Sequence, residues 1–222
     1  GCDQPMQGDD LLEVAFPDIL KREIGHLGIE LSLAQLEQFQ RYYYELNEWN
    51  SRVNLTSVTE WEDVQSRHYL DSLTAALVIP KAILGSGRFV DVGSGGGFPG
   101  VPLLLAFPGM KGTLVEATRK KTTFLEHLKD SLGLEGLEVL NGRAETLAHD
   151  PALRESFDIV LARSISGMAA LAEMTLPFCR TGGLLVAHKG HNIEDELTAA
   201  ANAIVVTGGA LKEVRPVSLE GL

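Results

Sequence analysis

A strand, a glycine turn and a helix are encoded in the stretch Phe89-Val90-Asp91-Val92-Gly93-Ser94-Gly95-Gly96-Gly97-Phe98-Pro99-Gly100. The segment 89–92 is apolar and β-branched apart from Asp91, which is typical of a buried strand. The glycines that follow lack a Cβ, so another molecule can approach the backbone closely. Pro99 fits the first position of a helix, where an N–H group has no helical partner. Backbone N–H groups at such a turn predict a site for a nucleotide or another polar ligand.

The spacing of these glycines leaves two kinds of ligand open. Gly95-x-Gly97-x-x-Gly100 matches the dinucleotide fingerprint, which predicts NAD. In a dinucleotide site, however, the first glycine comes directly off the strand, and here that residue is Gly93. Counted from Gly93, the pattern is Asp-x-Gly-x-Gly-x-Gly with Asp91 inside the strand. This pattern resembles motif I of the class I S-adenosylmethionine-dependent methyltransferases.

Composition indicates an ordinary globular protein. The 222 residues are 45% hydrophobic and 22% charged, which suffices for one domain, or one domain with an appendage, and a sizeable core. Cys2 and Cys179 can build neither a disulfide framework nor a zinc site, which favours a reducing compartment. A polar start without a signal peptide and no apolar run of membrane-spanning length predict a cytoplasmic protein. The net charge of −11 argues against a general nucleic-acid coat but leaves room for a local basic site.

Helical patterns fill the first 80 residues, and strands alternate with helices from Arg88 onward. Two capping-box pairs, Ser32 with Gln35 and Thr59 with Glu62, predict helix starts. The predicted strands are Phe89–Val92, Gly112–Glu116, Leu137–Leu140, Phe157–Arg163, Gly183–His188 and Leu211–Val217. A helix is predicted near Ile193–Ala203. Such alternation predicts an α/β fold: a parallel, Rossmann-like sheet with helices on both faces. We expect an N-terminal helical appendage at 1–84 and the Rossmann-like domain at 85–222.

Candidate site residues follow the predicted strands, because ligands of open parallel sheets bind beyond the carboxyl ends of the strands. Glu116 ends the second strand, at the spacing of about 20 residues where a carboxylate accepts the ribose hydroxyls of either NAD or S-adenosylmethionine. Gly142-Arg143-Ala144-Glu145 follows the third strand and either frames an adenine ring or forms a plain helix-capping loop. Arg163-Ser164 and His188-Lys189 end the next two strands. This arginine and lysine suit a phosphate-bearing substrate, or are snorkelling surface residues.

Polar and aromatic sets interrupt the apolar pattern of the predicted appendage. Arg67, His68, Asp71 and Ser72 have helical spacing, so we expect them to share one face. The cluster Tyr42-Tyr43-Tyr44 either stacks nucleic-acid bases or packs a helix interface; packing is the commoner use, and we expect it here.

Several motifs in a fixed order resemble one bacterial family. They are Asn54-Leu-Thr, Arg67-His68-x-x-Asp71-Ser72-Leu73, Asp91-Val-Gly-Ser-Gly-Gly-Gly-Phe-Pro-Gly100, Glu116-x-x-x-Lys120-Lys121-x-x-Phe124-Leu125, Gly142-Arg-Ala-Glu145, Phe157-Asp-x-Val-x-x-Arg163 and Lys189-Gly190. Over about residues 20–217 this set resembles the bacterial 16S ribosomal RNA guanine-N7 methyltransferases, historically called glucose-inhibited division protein B.

The resemblance implies a class I S-adenosylmethionine-dependent methyltransferase that modifies one guanine in the decoding-region loop of 16S rRNA. It implies S-adenosyl-L-methionine as cofactor, 16S rRNA or the assembling small ribosomal subunit as partner, no metal, no membrane and a monomer. The cofactor-binding residues would be Asp91, Gly93, Ser94, Gly95, Gly97, Phe98, Glu116, Ala144, Glu145 and Arg163. The substrate-binding residues would be Asn54, Arg67, His68, Arg143, Ser164 and Lys189. Arg163 and Lys189 would be the catalytic residues.

The expected chemistry needs no general base. Nitrogen 7 of guanine has a free lone pair, so the protein only has to hold the two reactants in line and exclude water. Two other functions stay open on the sequence alone: an NAD-dependent oxidoreductase, from the fingerprint match, and a non-catalytic, nucleoside-sensing RNA-binding module. Calorimetry with S-adenosylmethionine and NAD distinguishes the first from a methyltransferase, and a transfer assay on small-subunit RNA distinguishes the second.

Overall fold

Helices make up the N-terminal part of the computed structural model, which describes residues 14–164, 168–189, 200–207 and 210–218. They are α1 (Asp18–Glu23), α2 (Leu33–Val53), α3 (Trp61–Val64), α4 (Asp71–Leu73) and α5 (Lys81–Ser86), with 3-10 turns at Ile24–Leu27 and Thr74–Leu77 and a π-helical segment at Gln65–Leu70. From α3 to the second 3-10 turn the helical elements are continuous. Helix α5 includes residues 84 and 85, where the boundary between appendage and sheet domain is predicted, and that division stays a prediction.

Helix α2 is the longest helix and begins with the predicted capping box. Ser32 Oγ accepts a hydrogen bond from the Gln35 N–H at 3.2 Å, and the Ser32 N–H donates to Gln35 Oε1 at 2.7 Å. The second predicted box, Thr59 with Glu62, is wrong. The chain enters α3 one residue later, with Glu60 in an extended conformation as a cap that makes no side-chain hydrogen bond.

A five-stranded parallel sheet forms the rest of the core. Its elements are β1 (Arg88–Val92), α6 (Gly100–Ala106), β2 (Lys111–Glu116), α7 (Arg119–Leu132), β3 (Leu137–Asn141), α8 (Ala144–Leu147), β4 (Phe157–Ser164), α9 (Met168–Thr175) and β5 (Cys179–Lys189). The strand order is β3-β2-β1-β4-β5, and every neighbouring pair is parallel. The predicted α/β fold class is confirmed. The order reverses between β1 and β4, which is where ligands bind in such sheets.

Alternating residues of β1 face two different parts of the core. Phe89 packs in a cluster with Phe39 from α2 and Phe124 from α7. Val90 and its same-face neighbours pack in a second cluster, on the other side of the sheet, with Phe157 and Phe178. All six side chains are nearly inaccessible to solvent, and burial of each such aromatic or aliphatic side chain contributes about 1.5–3 kcal/mol to the free energy of unfolding. The N-terminal helices and the sheet therefore share one hydrophobic core.

The C-terminal segment differs from the sequence prediction. Residues 200–203 of the predicted helix near Ile193–Ala203 belong to a strand, β6 (Ala200–Thr207), so the helix is wrong there; residues 193–199 lie outside the described part of the chain. The predicted sixth strand is present as β7 (Ala210–Ser218), but it pairs antiparallel with β6 in a separate two-stranded sheet. The β-branched run Ile204-Val205-Val206 favours a strand, and the sequence Gly208-Gly209 is typical of a hairpin connection.

Candidate functional site

The glycine turn follows β1 at the point where the strand order reverses. Gly93, Gly95 and Gly97 have φ angles of 77°, 56° and 100°, a region that L side chains rarely adopt. A Cβ on Gly93 or Gly95 would meet no atom within 4 Å. The turn is therefore left-handed and open on its outer side, as close approach of a ligand to the backbone requires.

Asp91 and Ser94 support this turn from beneath. Asp91 is fully buried, and its Oδ2 accepts a hydrogen bond from the Gly100 N–H at 2.8 Å. Ser94 Oγ donates to the Asp91 carbonyl at 3.0 Å. Burial raises the pKa of Asp91 to about 8, although the Gly100 N–H and the Arg163 charge oppose this shift. Helix α6 begins at Gly100, so Pro99 lies at the N-cap instead of the predicted first helical position.

Glu116 reaches the same turn from the end of β2. Its Oε1 accepts from the Gly95 N–H at 3.2 Å and its Oε2 from the Thr118 N–H at 3.3 Å. The residue is 7% exposed. Each carboxylate oxygen can accept a second hydrogen bond, so Glu116 can hold the turn and still accept hydroxyl groups of a ligand.

The Phe98 ring is the centre of a stack that joins the N-terminal helices to the sheet. Its plane lies 7° from that of Tyr42, at 5.2 Å between ring centroids, and 9° from that of His68, at 4.2 Å. The Arg163 guanidinium carbon lies 5.4 Å from the centroid of the same ring. Residues from α2, the π-helical segment, the glycine turn and β4 thus meet at one place. The expectation that Tyr42 packs an interface is confirmed.

Arg163 has donors that the described part of the chain does not satisfy. Its Nη2 lies 3.8 Å from Asp71 Oδ2, yet Nε and Nη2 are buried and make no hydrogen bond there. The same holds for Ser72 Oγ and for Nδ1 of His68 and of His188. Buried polar atoms are normally paired, so these unpaired atoms, at the ends of β4 and β5 and on the helical segments that carry His68 and Ser72, suit a polar ligand.

Both histidines of this region are buried and favour the neutral form. Burial, with the nearby Arg163 and Arg67 charges, lowers the pKa of His68 to about 3, and its Nε2 lies 2.8 Å from Thr56 Oγ1. Burial also lowers the pKa of His188, whose Nε2 is 3.5 Å from Thr74 Oγ1. The lowered pKa values favour the neutral ring in both residues, and a pKa of about 3 makes His68 a weak base.

The third strand end contributes a short helix beside Glu116. The Gly142 N–H donates to the Glu116 carbonyl at 3.0 Å. Ala144 is buried at the start of α8, whereas Arg143 and Glu145 are exposed on either side of it. This edge can therefore present side chains to a bound ring.

The predicted substrate residues lie in different environments. Asn54 is exposed in a left-handed conformation at the end of α2. Arg67 is also exposed, whereas His68 and Ser72 are buried, so the expectation that Arg67, His68, Asp71 and Ser72 all share one face is wrong for Arg67. The π-helical turns at Gln65–Leu70 depart from α-helical spacing. Ser164 and Lys189 pair in register as the last residues of β4 and β5; their side chains are outside the described part.

The sequence alone does not assign Tyr42, Thr74 or Asp71 to this site, although Asp71 stands in the polar set with His68. Helical periodicity marks Tyr42 as an interface residue, but it does not reveal which loop its hydroxyl touches. The motif around Asp71 was the only signal for the other two. Within the described ranges no cluster of His, Cys, Asp or Glu could hold a metal ion. Among the helices that the structure describes, none has the length and apolar character of a membrane span.

An open parallel sheet of this order, with a glycine turn after β1 and a carboxylate at the end of β2, is typical of the class I methyltransferase fold. A model of the family described as rRNA small subunit methyltransferase G matches residues 35–220. The chain belongs to this family.

Three relatives with the name ribosomal RNA small subunit methyltransferase G illustrate the similarity. The protein of Dehalococcoides mccartyi (strain CBDB1) is 46% identical over 90% of this chain and 83% of its own length. That of Roseiflexus sp. (strain RS-1) is 43% identical over 92% of this chain and 86% of its own length. That of Halalkalibacterium halodurans is 42% identical over 86% of this chain and 79% of its own length.

Proposed function

We propose that the chain transfers a methyl group from S-adenosylmethionine to N7 of a guanine in the decoding-region loop of 16S rRNA. Family membership supports methylation of small-subunit rRNA. The guanine, its N7 atom and the residue roles below are our assignment. The observation that carries it is the pairing of the open glycine turn with Glu116 where the strand order reverses.

The cofactor side fits S-adenosylmethionine. Gly93 and Gly95 leave space for a ligand beside the backbone, and the remaining lone pairs of Glu116 suit the two hydroxyls of a ribose. Ala144 and Glu145 would flank the adenine. Asp91 and Ser94 would act from beneath, by shaping the turn.

The substrate side is built around Arg163. When bound, S-adenosylmethionine supplies an electrophilic methyl group that a ring nitrogen can attack directly. Guanine N7 must keep its lone pair free for that attack, so the unpaired donors of Arg163 would bind O6 or a phosphate oxygen. Lys189 would neutralise a phosphate at the next strand end. His68 and His188, both neutral, fit a step in which no proton leaves.

The shape of the RNA grooves limits how the target guanine can reach the site. A-form RNA hides base edges in its deep groove, so the target guanine has to be unstacked or displayed in a loop. Asn54, Arg67 and Arg143 are exposed and would bind the flanking nucleotides. The protein's contribution is to orient the base and exclude water.

A transfer assay with methyl-labelled S-adenosylmethionine tests the proposal. The purified chain is incubated with 16S rRNA and, separately, with small subunits, and the label is mapped by chemical scission at N7-methylguanine. We expect one methyl group at one decoding-region guanine, loss of transfer in Arg163→Ala, and normal transfer in Glu126→Ala, an exposed residue of α7. Label on an exocyclic amine or on ribose, or no transfer to either RNA, would contradict it.

A further inference from the structure

Tyr42 links the N-terminal helices to the glycine turn through its hydroxyl. The Tyr42 O–H donates to the Gly96 carbonyl at 2.7 Å, and the residue is fully buried. The other end of that peptide unit, the Gly97 N–H, donates to the Ser94 carbonyl at 2.8 Å. Both polar ends of the Gly96–Gly97 peptide are therefore fixed, one of them by a side chain from α2.

We propose that Tyr42 is a positioning residue for the cofactor, acting through the Gly96 carbonyl; this rests on the proposed function, in which the turn binds S-adenosylmethionine. Glu116 holds the Gly95 N–H from the sheet side. The Tyr42 hydroxyl holds the Gly96 carbonyl from the side of α2. Between these two anchors the turn is kept in its left-handed conformation before a ligand arrives, so the ordering cost of binding is reduced.

Gly97 and Tyr42 fit one another sterically. A Cβ on Gly97 would lie 2.6 Å from the Tyr42 hydroxyl oxygen and 3.0 Å from Val101 Cγ2. The hydroxyl thus occupies the space that any larger residue at 97 would need. Position 97 requires glycine because its φ is 100° and because the Tyr42 hydroxyl from α2 lies against it.

The tyrosine is chemically suited to remain a donor. Burial raises the pKa of Tyr42 well above its ordinary value; the Arg163 charge opposes this shift and the Asp91 carboxylate adds to it. The hydroxyl therefore keeps its proton at physiological pH. Its ring stacks on Phe98, so removing the oxygen alone leaves the packing in place.

The matched test is Tyr42→Phe beside Tyr69→Phe. Tyr69 is equally buried, lies in the same aromatic cluster, and donates to a backbone carbonyl at 2.9 Å, but that carbonyl belongs to Phe39 within α2. Each variant loses one buried hydrogen bond, so both should lose similar thermal stability. Only the first loses a contact to the turn.

Calorimetry with S-adenosylmethionine and with S-adenosylhomocysteine, together with steady-state kinetics, gives the decisive readouts. We expect Tyr42→Phe to raise Kd and the cofactor KM by about three- to tenfold while kcat stays within about twofold. Tyr69→Phe should leave both Kd values unchanged. Equal Kd values in the two variants, whether raised or not, would overturn the role of Tyr42.

Glu116→Ala separates this inference from the function on which it rests. If Glu116→Ala weakens cofactor binding and Tyr42→Phe does not, the turn binds the cofactor without help from Tyr42, and the inference fails alone. If Glu116→Ala leaves the Kd for S-adenosylmethionine unchanged, the cofactor site is misplaced. The proposed site and the role of Tyr42 then fail together.

Discussion

The carboxylate of Glu116 holds the glycine turn, and under the proposed function it also accepts the ribose hydroxyls, which a substitution tests. Glu116→Ala removes charge-assisted hydrogen bonds to the ribose, which should cost about 1.5–3 kcal/mol, or about ten- to a hundredfold in the Kd for S-adenosylmethionine. Glu116→Gln keeps one acceptor oxygen and should lose less. Calorimetry is run beside Glu126→Ala, an exposed carboxylate on α7. An unchanged Kd in Glu116→Ala would remove this residue from the site.

Residues at strand ends were predictable, and their partners from the helices were not. Glu116 and Arg163 follow from the rule that ligands bind beyond the carboxyl ends of parallel strands. The contacts of Tyr42 with Gly96 and of Asp71 with Arg163 join residues 54 and 92 positions apart. Such contacts depend on the packing angle of helices against the sheet, which local sequence periodicity does not encode.

The buried carboxyl of Asp91 should make the free energy of unfolding depend on pH. Its pKa is about 8 in the folded chain and about 3.9 when unfolded. Between these values the folded state holds a proton that the unfolded state has lost, so this group makes the free energy of unfolding fall as pH rises. Asp91→Asn cannot ionise, and its amide oxygen can still accept from Gly100.

Urea denaturation at pH 5, 6 and 7 checks this. The stability of Asp91→Asn relative to the parent should grow by up to about 1.4 kcal/mol per pH unit. The comparison is Asp150→Asn, an exposed aspartate that also accepts a backbone N–H. Parallel curves for the parent and Asp91→Asn would show that the buried carboxyl is already ionised across this range.

At the scale of helices, Gln35 connects the start of α2 to the end of α6. Its Oε1 completes the capping box, while its Nε2 donates to the carbonyls of Leu105 and Ala106 at 3.0 and 3.3 Å. Ser32→Ala removes only the cap and should cost about 1 kcal/mol. Gln35→Ala also leaves helix-terminal carbonyls without this partner, so it should cost about 2–3 kcal/mol. If Ser32→Ala and Gln35→Ala lose the same free energy of unfolding, measured by heat or urea, the contacts of Gln35 with α6 contribute nothing to stability.

Element order was predictable as far as β5, because alternating apolar strands and amphipathic helices have distinct periods. The C-terminal hairpin was not. Ala200–Thr207 begins with a small-residue pattern compatible with a helix, and only its last half is β-branched. Pairing with β7 decides the conformation, and that pairing is a tertiary contact outside any local window.

For the whole molecule, a net charge of −11 means that RNA binding has to depend on a few local cations. Lys189→Ala should cut methyl transfer strongly while leaving the Kd for S-adenosylmethionine within about threefold. RNA binding should become less steep in salt by about one unit of log–log slope for each lost phosphate contact. Lys111→Ala, at the opposite end of the sheet, is the control. Loss of cofactor binding in Lys189→Ala would place this strand end on the cofactor side.

The chemistry of the assembled site predicts a flat pH profile. The pKa of His68 is lowered to about 3 and that of His188 is also lowered, so both rings stay neutral as pH rises through neutrality. Attack by an unprotonated ring nitrogen requires no base. The single-turnover rate at saturating RNA and cofactor should therefore change by less than about twofold from about pH 6 to 7.5, below the Asp91 pKa of about 8.

Variants of both histidines complete this test. His68→Asn and His188→Gln can weaken RNA binding, because each removes a buried ring beside Arg163, but neither should introduce or remove a dependence of the rate on pH. Methylation of an exocyclic amine behaves differently, since a proton must leave the nucleophile and a base has to accept it. A rate that rises about tenfold per pH unit, and loses that rise when either histidine is replaced, would therefore exclude attack by guanine N7 and with it the proposed substrate atom.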